Sequence, residues 1–269
     1  MDIDTIRSTV LTTPEWLTAR AHEWALFIDI DGTLLEMAPT PDAVVVPAGL
    51  VQMMDDLART MGGAIALSTG RSVTEADRLL FPLKLITSGV HGTEVRVERG
   101  GEVTMMAPAV SVTLLDEIVA VAAMSPGIIV EVKGAGVAVH YRKVPELRPA
   151  LEVGLSKVAE RRDTLVLRPG RRVLEVIPKG YSKGAGLAWL MRRQPFEGRR
   201  PIMIGDDYGD ESAIRMAEQL GGFGLKVAGE YFPADEADFS GVADARAWFA
   251  TVAGTPTSNP IAGPFPSDD

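Results

Sequence analysis

The string F-I-D-I-D-G-T-L at residues 27–34 sets Asp29 and Asp31 two residues apart, where a short apolar run ends. In extended backbone, residues i and i+2 share a face, so the two carboxylates converge. Clustered carboxylates repel unless a proton or a cation sits nearby. Gly32 permits a tight turn directly after them. A second string, M-I-G-D-D-Y-G-D-E at 203–211, repeats the pattern with Asp206, Asp207, Asp210 and Glu211 behind an apolar run. Hard cations such as Mg2+ take carboxylate and carbonyl oxygens and keep several waters. An Asp-Gly turn would explain part of the first string. An acidic helix start would explain Asp210 and Glu211 of the second. Neither explains paired acids at a strand end.

Between these strings lie L-S-T-G-R-S (67–72) and Y-S-K-G (181–184). The first joins a strand end to a helix start, where the Thr69 hydroxyl and backbone N–H groups form an anion site. The second puts Lys183, with a full positive charge, at another helix start. Each is common alone; their order and their place at strand–helix junctions carry the signal. A carboxylate nucleophile, a second carboxylate, a cation and two phosphate ligands suit phosphoryl transfer.

The elements that must hold these groups are legible as apolar periodicity. Residues 25–30, 64–69, 85–88, 201–205 and 222–227 are predicted strands. Helices are predicted over 47–60, 72–81, 183–193, 209–220 and 244–253, with a short helix in residues 1–24. A hairpin is predicted around Arg99-Gly100-Gly101. Alternating β and α implies a parallel sheet covered on both faces. Between 108 and 178 the pattern changes to helix 111–124, strands 128–132 and 136–142, helix 145–161, and a strand pair turning at Gly170-Arg171. The fold class is therefore α/β: a Rossmann-like parallel-sheet core, 1–107 and 179–254, interrupted by an α+β (αββαββ) insert, 108–178. The Pro-, Ser- and Gly-rich tail, 255–269, is expected to be disordered.

The chain has 269 residues, no Cys and a net charge of −9. Disulfides and thiolate chemistry are excluded. The acidic balance disfavours nucleic acid and anionic membranes as partners. The start, MDIDTIRSTV, carries no secretory pattern, and no apolar run reaches a membrane span, so a cytoplasmic protein is expected. Oligomeric state is not given by the sequence; a monomer is admitted.

The four strings, in this order, resemble the four motifs of the haloacid dehalogenase superfamily. The resemblance implies that Asp29 is the nucleophile and Asp31 the general acid and base. It implies phosphate contacts from Thr69 and Lys183. It also implies Mg2+ held by Asp29, the backbone carbonyl of Asp31 and Asp206, with Asp207 and Asp210 supporting them. The insert resembles a C2B-type cap. Further strings, G-V-H-G-T-E (89–94), E-V-K-G-A-G-V-A-V-H-Y-R (131–142) and V-L-E-V (173–176), are similar to those of the trehalose-6-phosphate phosphatases, over about residues 22–250. Gly209 stands where that family often has Thr, beside the metal loop rather than in it.

The insert residues make sense for a sugar phosphate. Glu131 and Lys133 alternate with Val130 and Val132, so they share a sheet face, and Glu175 on a neighbouring strand can join them. Such a cluster offers the hydrogen bonds that sugar hydroxyls need; an exposed cross-strand ion pair is the plainer reading of the same residues. His91, in a Gly-flanked loop, is placed against phosphate or glucose. Arg71 and Arg142 are further substrate-site candidates, and His140 is expected to bond within the insert. The basic run Arg161, Arg162, Arg168, Arg171, Arg172 lacks interleaved aromatics and reads as a solvated surface. The resemblance implies hydrolysis of trehalose 6-phosphate. Alternatives are another sugar phosphatase (sucrose 6-phosphate type), a phosphohexomutase, or a silent sugar-phosphate sensor.

Overall fold

The computed structural model describes residues 1–38, 43–170 and 172–255. The expected disordered tail, apart from Thr255, and Arg171 of the expected turn lie outside the described residues. In chain order the elements are α1 (Ile3–Thr12), α2 (Glu15–Thr18), β1 (Trp24–Ile28), α3 (Leu50–Thr60), β2 (Ile65–Ser68), α4 (Val73–Leu79) and β3 (Ile86–Gly89). Then come β4 (Glu94–Arg96), β5 (Val103–Met105), α5 (Val112–Ala122), β6 (Ile129–Lys133), β7 (Gly136–His140), α6 (Arg148–Glu160), β8 (Leu165–Gly170) and β9 (Val173–Pro178). The chain closes with α7 (Lys183–Leu190), β10 (Arg200–Gly205), α8 (Glu211–Gln219), β11 (Phe223–Lys226) and α9 (Val242–Ala253).

The core sheet runs β11-β10-β1-β2-β3-β4-β5. Its first five strands are parallel, and β4 and β5 form the antiparallel hairpin. Strand β1 alternates its buried side chains between two cores. Trp24, Leu26 and Ile28 face the α3 and α9 side, whereas Ala25 and Phe27 face the α7 and α8 side. This two-sided burial explains why the strands read as apolar runs. Helix α3 buries Leu50, Met53, Met54, Leu57 and Ala58, one face at i, i+3, i+4 spacing. Each large side chain so buried contributes about 1.5–3 kcal/mol. The helix expected from Pro47 starts at Leu50 instead, because Gly49 has φ 82° and cannot lie in a right-handed helix.

The second sheet, β6-β7-β9-β8, is antiparallel throughout. One face carries Val137, Val139, Leu174 and Val176 against Leu114 and Ile118 of α5 and Leu151, Leu155 and Val158 of α6. The other face is polar and turns towards the core sheet. The two connections between the units are tied together, since the Tyr181 hydroxyl donates to the Met106 carbonyl. No helix among the described residues is long and apolar enough to cross a membrane.

Candidate active site

Strands on either side of β1 and β10 connect in opposite directions, which opens a crevice beyond their carboxyl ends. Asp29 follows β1 and Asp206 follows β10, so the two carboxylates meet there. Strand β1 hands on directly, with Asp29 N–H donating to the Ile204 carbonyl at 3.0 Å. Gly32 has φ 88°, and a Cβ there would lie 2.1 Å from Asp206 Oδ2. Glycine is therefore required at 32 for the turn and for the approach of Asp206. Thr33 Oγ1 donates to Asp206 Oδ1 at 3.4 Å.

Lys183, the first residue of α7, reaches Asp29 Oδ1 at 2.8 Å and Asp210 Oδ1 at 2.7 Å. The other Asp210 oxygen accepts from the N–H groups of Asp206 and Asp207, both at 3.1 Å. Asp210 is thus fully engaged in fixing Lys183 and the Asp206 loop. Asp29, Asp206 and Asp210 bring carboxylate oxygens within 4.8 Å of one another. Of these, Asp29 and Asp206 remain as carboxylate donors to a cation. Burial pushes the Asp29 carboxyl well above the ordinary aspartate range, and the Asp210 charge adds to this, against the pull of Lys183. Burial opposes the Lys183 charge too, but Asp210 and Asp29 outweigh it and hold the ammonium protonated. Asp210, Asp29 and Asp207 thus act on Lys183, with Asp206 beside Asp29, and this excess of negative charge suits a hard divalent cation. The glycine-lined cradle at Asp206 and the all-oxygen donor set fit one.

Arg71 grips both oxygens of Asp31, from Nε at 2.6 Å and Nη2 at 2.7 Å. The planar guanidinium suits this two-pronged hold. Thr69 Oγ1 accepts from Arg71 N–H at 3.1 Å, which sets the loop carrying both residues. Ser72 caps α4 through a reciprocal bond with Glu75, so the helix start is fixed just beyond.

A cavity of about 280 Å³ separates this crevice from the second sheet. Asp29, Asp31, Thr69, Arg71, His91, Lys183, Asp206 and Asp207 line its core side, and Lys133, Arg142 and Glu175 line the other. The structure thus brings these expected site residues around one space. Arg142 donates to the Ala38 carbonyl at 3.0 Å, and Lys133 reaches the Gly70 carbonyl at 3.4 Å. Glu131 lies on β6 beside Lys133. It accepts from His140 at 2.8 Å and pairs with Lys133 at 3.6 Å, so it orients two side chains that do face the cavity. His140 was expected to bond within the insert; it does so and also faces the cavity.

Two expectations change. Glu175 is not on the strand next to Glu131: β7 lies between, with Ala138 opposite both, because the sheet order is β6-β7-β9-β8. His91 lines the cavity, and its Nε2 lies 2.8 Å from Glu175 Oε2, a close contact poorly aligned for a hydrogen bond. Arg168 does not belong to a solvated surface. It pairs in register with Glu175, lines the cavity and donates to the Tyr181 carbonyl at 2.8 Å. The signal was its strand phase: Leu165 and Leu167 go to the insert core, so Arg168 goes to the opposite face. Arg162, by contrast, is spent on Glu117.

Burial alone would raise the Glu175 carboxyl, but His91 outweighs it, with help from Lys133 and Arg168, and brings it down to about 2. Against an unfolded value of 4.5, this shift stabilises the fold by about 3 kcal/mol. The contribution is present above pH 4.5 and is lost as pH falls towards 2. Urea unfolding at pH 5 and pH 3 checks this: the Glu175→Gln variant is expected to lose markedly less stability between the two than the wild type does.

A family model described as trehalose-phosphatase matches residues 27–236. The chain belongs to the trehalose-phosphatase family. It is 40% identical over 222 residues to a Sinorhizobium fredii protein named "Probable trehalose-phosphate phosphatase", covering 82% of this chain and 83% of that one. It is 36% identical over 243 residues to the trehalose-6-phosphate phosphatase of Escherichia coli K12, covering 89% of each. The fold is shared with the C-terminal domain of the Candida albicans trehalose-6-phosphate phosphatase, at a TM-score of 0.76 and 17% identity, over 93% of this chain and 97% of that one. Membership makes this chain a phosphatase of the haloacid dehalogenase superfamily.

Proposed function

We propose that this chain is a Mg2+-dependent, cytoplasmic phosphatase that hydrolyses trehalose 6-phosphate to trehalose and phosphate through an aspartyl-phosphate. The insert, 108–178, serves as a cap over the core, 1–107 and 179–254. The observation that carries this reading is the convergence of Asp29, Asp206, Lys183 and Thr69 on the floor of a cleft whose roof is a polar sheet face. Family membership supports the choice of sugar phosphate.

Asp29 Oδ1 is held by Lys183, which leaves Oδ2 to attack phosphorus. The bond from phosphorus to the sugar oxygen breaks as the aspartyl-phosphate forms, and Asp31 gives the departing oxygen its proton. Asp31 next takes a proton from water, the water oxygen attacks phosphorus, and the Asp29 carboxylate leaves. Lys183 and the Thr69 hydroxyl hold the phosphoryl oxygens while charge shifts between them. Arg71 must turn away from Asp31 for either transfer, and the incoming phosphoryl group offers it another acceptor. Asp29, the Asp31 carbonyl and Asp206 would hold the cation, which neutralises phosphate and carboxylate charge when bound. Lys133, His140, Glu175, Arg142 and Arg168, with Glu131 supporting them, meet the sugar and exclude water as the cap closes.

Phosphate release from a panel of sugar phosphates tests the reading. Trehalose 6-phosphate is expected to be the preferred member, with turnover lost in EDTA and restored by excess Mg2+. Equal rates on sucrose 6-phosphate and glucose 6-phosphate would remove the substrate assignment. Retention of activity in EDTA would remove the cation. Thermal melting gives a second measure of the cation: Mg2+ is expected to raise the wild-type midpoint and not that of Asp206→Asn.

A further inference from the structure

The loop from Gly89 to Gly92 is the most strained segment near the cleft. Val90 and His91 both take left-handed backbone, with φ 44° and 53°. A β-branched residue there is a conformational outlier that surrounding contacts must enforce. The contacts are on both sides. Thr69 N–H donates to the Ser88 carbonyl at 3.0 Å, His91 N–H to the Thr69 carbonyl at 3.2 Å, and Val90 N–H to the Arg71 carbonyl at 2.9 Å. On the far side, a Cβ at Gly92, where φ is 90°, would come within 2.9 Å of the Ser182 carbonyl. The loop is wedged between the segment bearing Thr69 and the segment bearing Lys183. The product of this strain is one buried imidazole, laid against Gly70 and aimed at Glu175 across the cleft.

His91 belongs to the core, and Glu175 to the inserted sheet. Both are more than nine-tenths buried, and their contact exists only while the two units are together. Both side chains are buried where they meet, and separating the two units would expose them. Lys133 reaches Gly70 beside them, so two cap side chains bear on the same short stretch of core. The sugar part of the substrate carries no charge that could draw the cap down. A contact between the protein's own side chains does so here.

The geometry points to His91 as a positioning residue that latches the cap through Glu175, fixing both the closed cleft and the pose in which Glu175 meets the sugar. This rests on the reading of the insert as a cap over a sugar-phosphate site. A merely structural role for His91 would leave the resting cap position untouched.

The absence of cysteine allows a direct test. Glu146→Cys on the insert and Glu218→Cys on the core, both exposed, accept a fluorophore pair for distance measurement without substrate. His91→Ala is expected to move the distance distribution to wider values. It should also raise KM for trehalose 6-phosphate about tenfold while kcat falls by no more than about threefold. His91→Gln, which keeps a donor within reach of Glu175, should recover much of the narrow population. Adding Glu175→Gln to His91→Ala should open the cap no further. A raised KM with an unchanged distance distribution would mean that His91 touches the sugar directly and would overturn the latch, as would additive opening in the double variant. If His91→Ala fails to fold, Glu175→Gln alone, which keeps the side-chain volume, is read in the same way. The distance measurement needs no turnover, so failure of the substrate assignment and failure of the latch are seen separately.

Discussion

Asp29→Asn is expected to lower phosphate release from trehalose 6-phosphate by at least about 10⁴-fold, without loss of the fold. The amide keeps the size of the carboxylate and its oxygen can still accept from Lys183, so the buried contact at 2.8 Å survives in weakened form. What disappears is the proposed nucleophile and one of the two carboxylates proposed to hold the cation. Rapid-quench experiments with labelled phosphate give the finer check. The wild type should yield an acid-stable phosphorylated protein during turnover, and the variant should not. Substantial steady-state turnover by the asparagine variant would mean that another group attacks phosphorus.

Lys183→Met should damage stability as well as catalysis. The lysine is 4% exposed and touches Asp29 and Asp210, which is itself wholly buried. Removing one partner from a buried ionic cluster leaves charge without compensation and costs about 3–5 kcal/mol. In a chain of this size that lowers the melting midpoint by about 10 °C. Asp210→Asn placed on top should recover part of the midpoint, because it removes the stranded charge. It should recover no activity, because the phosphoryl oxygens still lack their cation. Thermal melts and phosphate release on the three proteins separate the two effects. A single variant that melts with the wild type would show that Lys183 is not the keystone of the cluster.

The core motifs were legible because their chemistry sits at fixed distances from strand ends. Asp29, Thr69, Lys183 and Asp206 each follow or open an element whose apolar run is visible in the sequence. The α/β class and the αββαββ order were legible for the same reason. What stayed hidden depends on contacts between distant segments. Forty residues separate Asp31 from Arg71, and nothing local says that one grips the other. Arg168 looked like part of a solvated basic run; its strand phase gives its face, but its pairing with Glu175 is set by the register of β9. The left-handed turn at Val90 and His91 contradicts the preference of valine; it is imposed by backbone bonds to the Thr69 segment. The bond between Glu131 and His140 crosses the strand pair off register, which spacing within one strand does not show.

The hydrogen bond from Tyr181 to Met106 binds the two crossings between core and insert into a single strap. A lid hung from two independent cords can sway and twist; one hung from two cords knotted together swings about one axis. In the cap proposed above, the tie would make the two attachments move together. Any change near that knot, far from every group that faces a ligand, would alter how wide the mouth rests and hence which molecules are admitted.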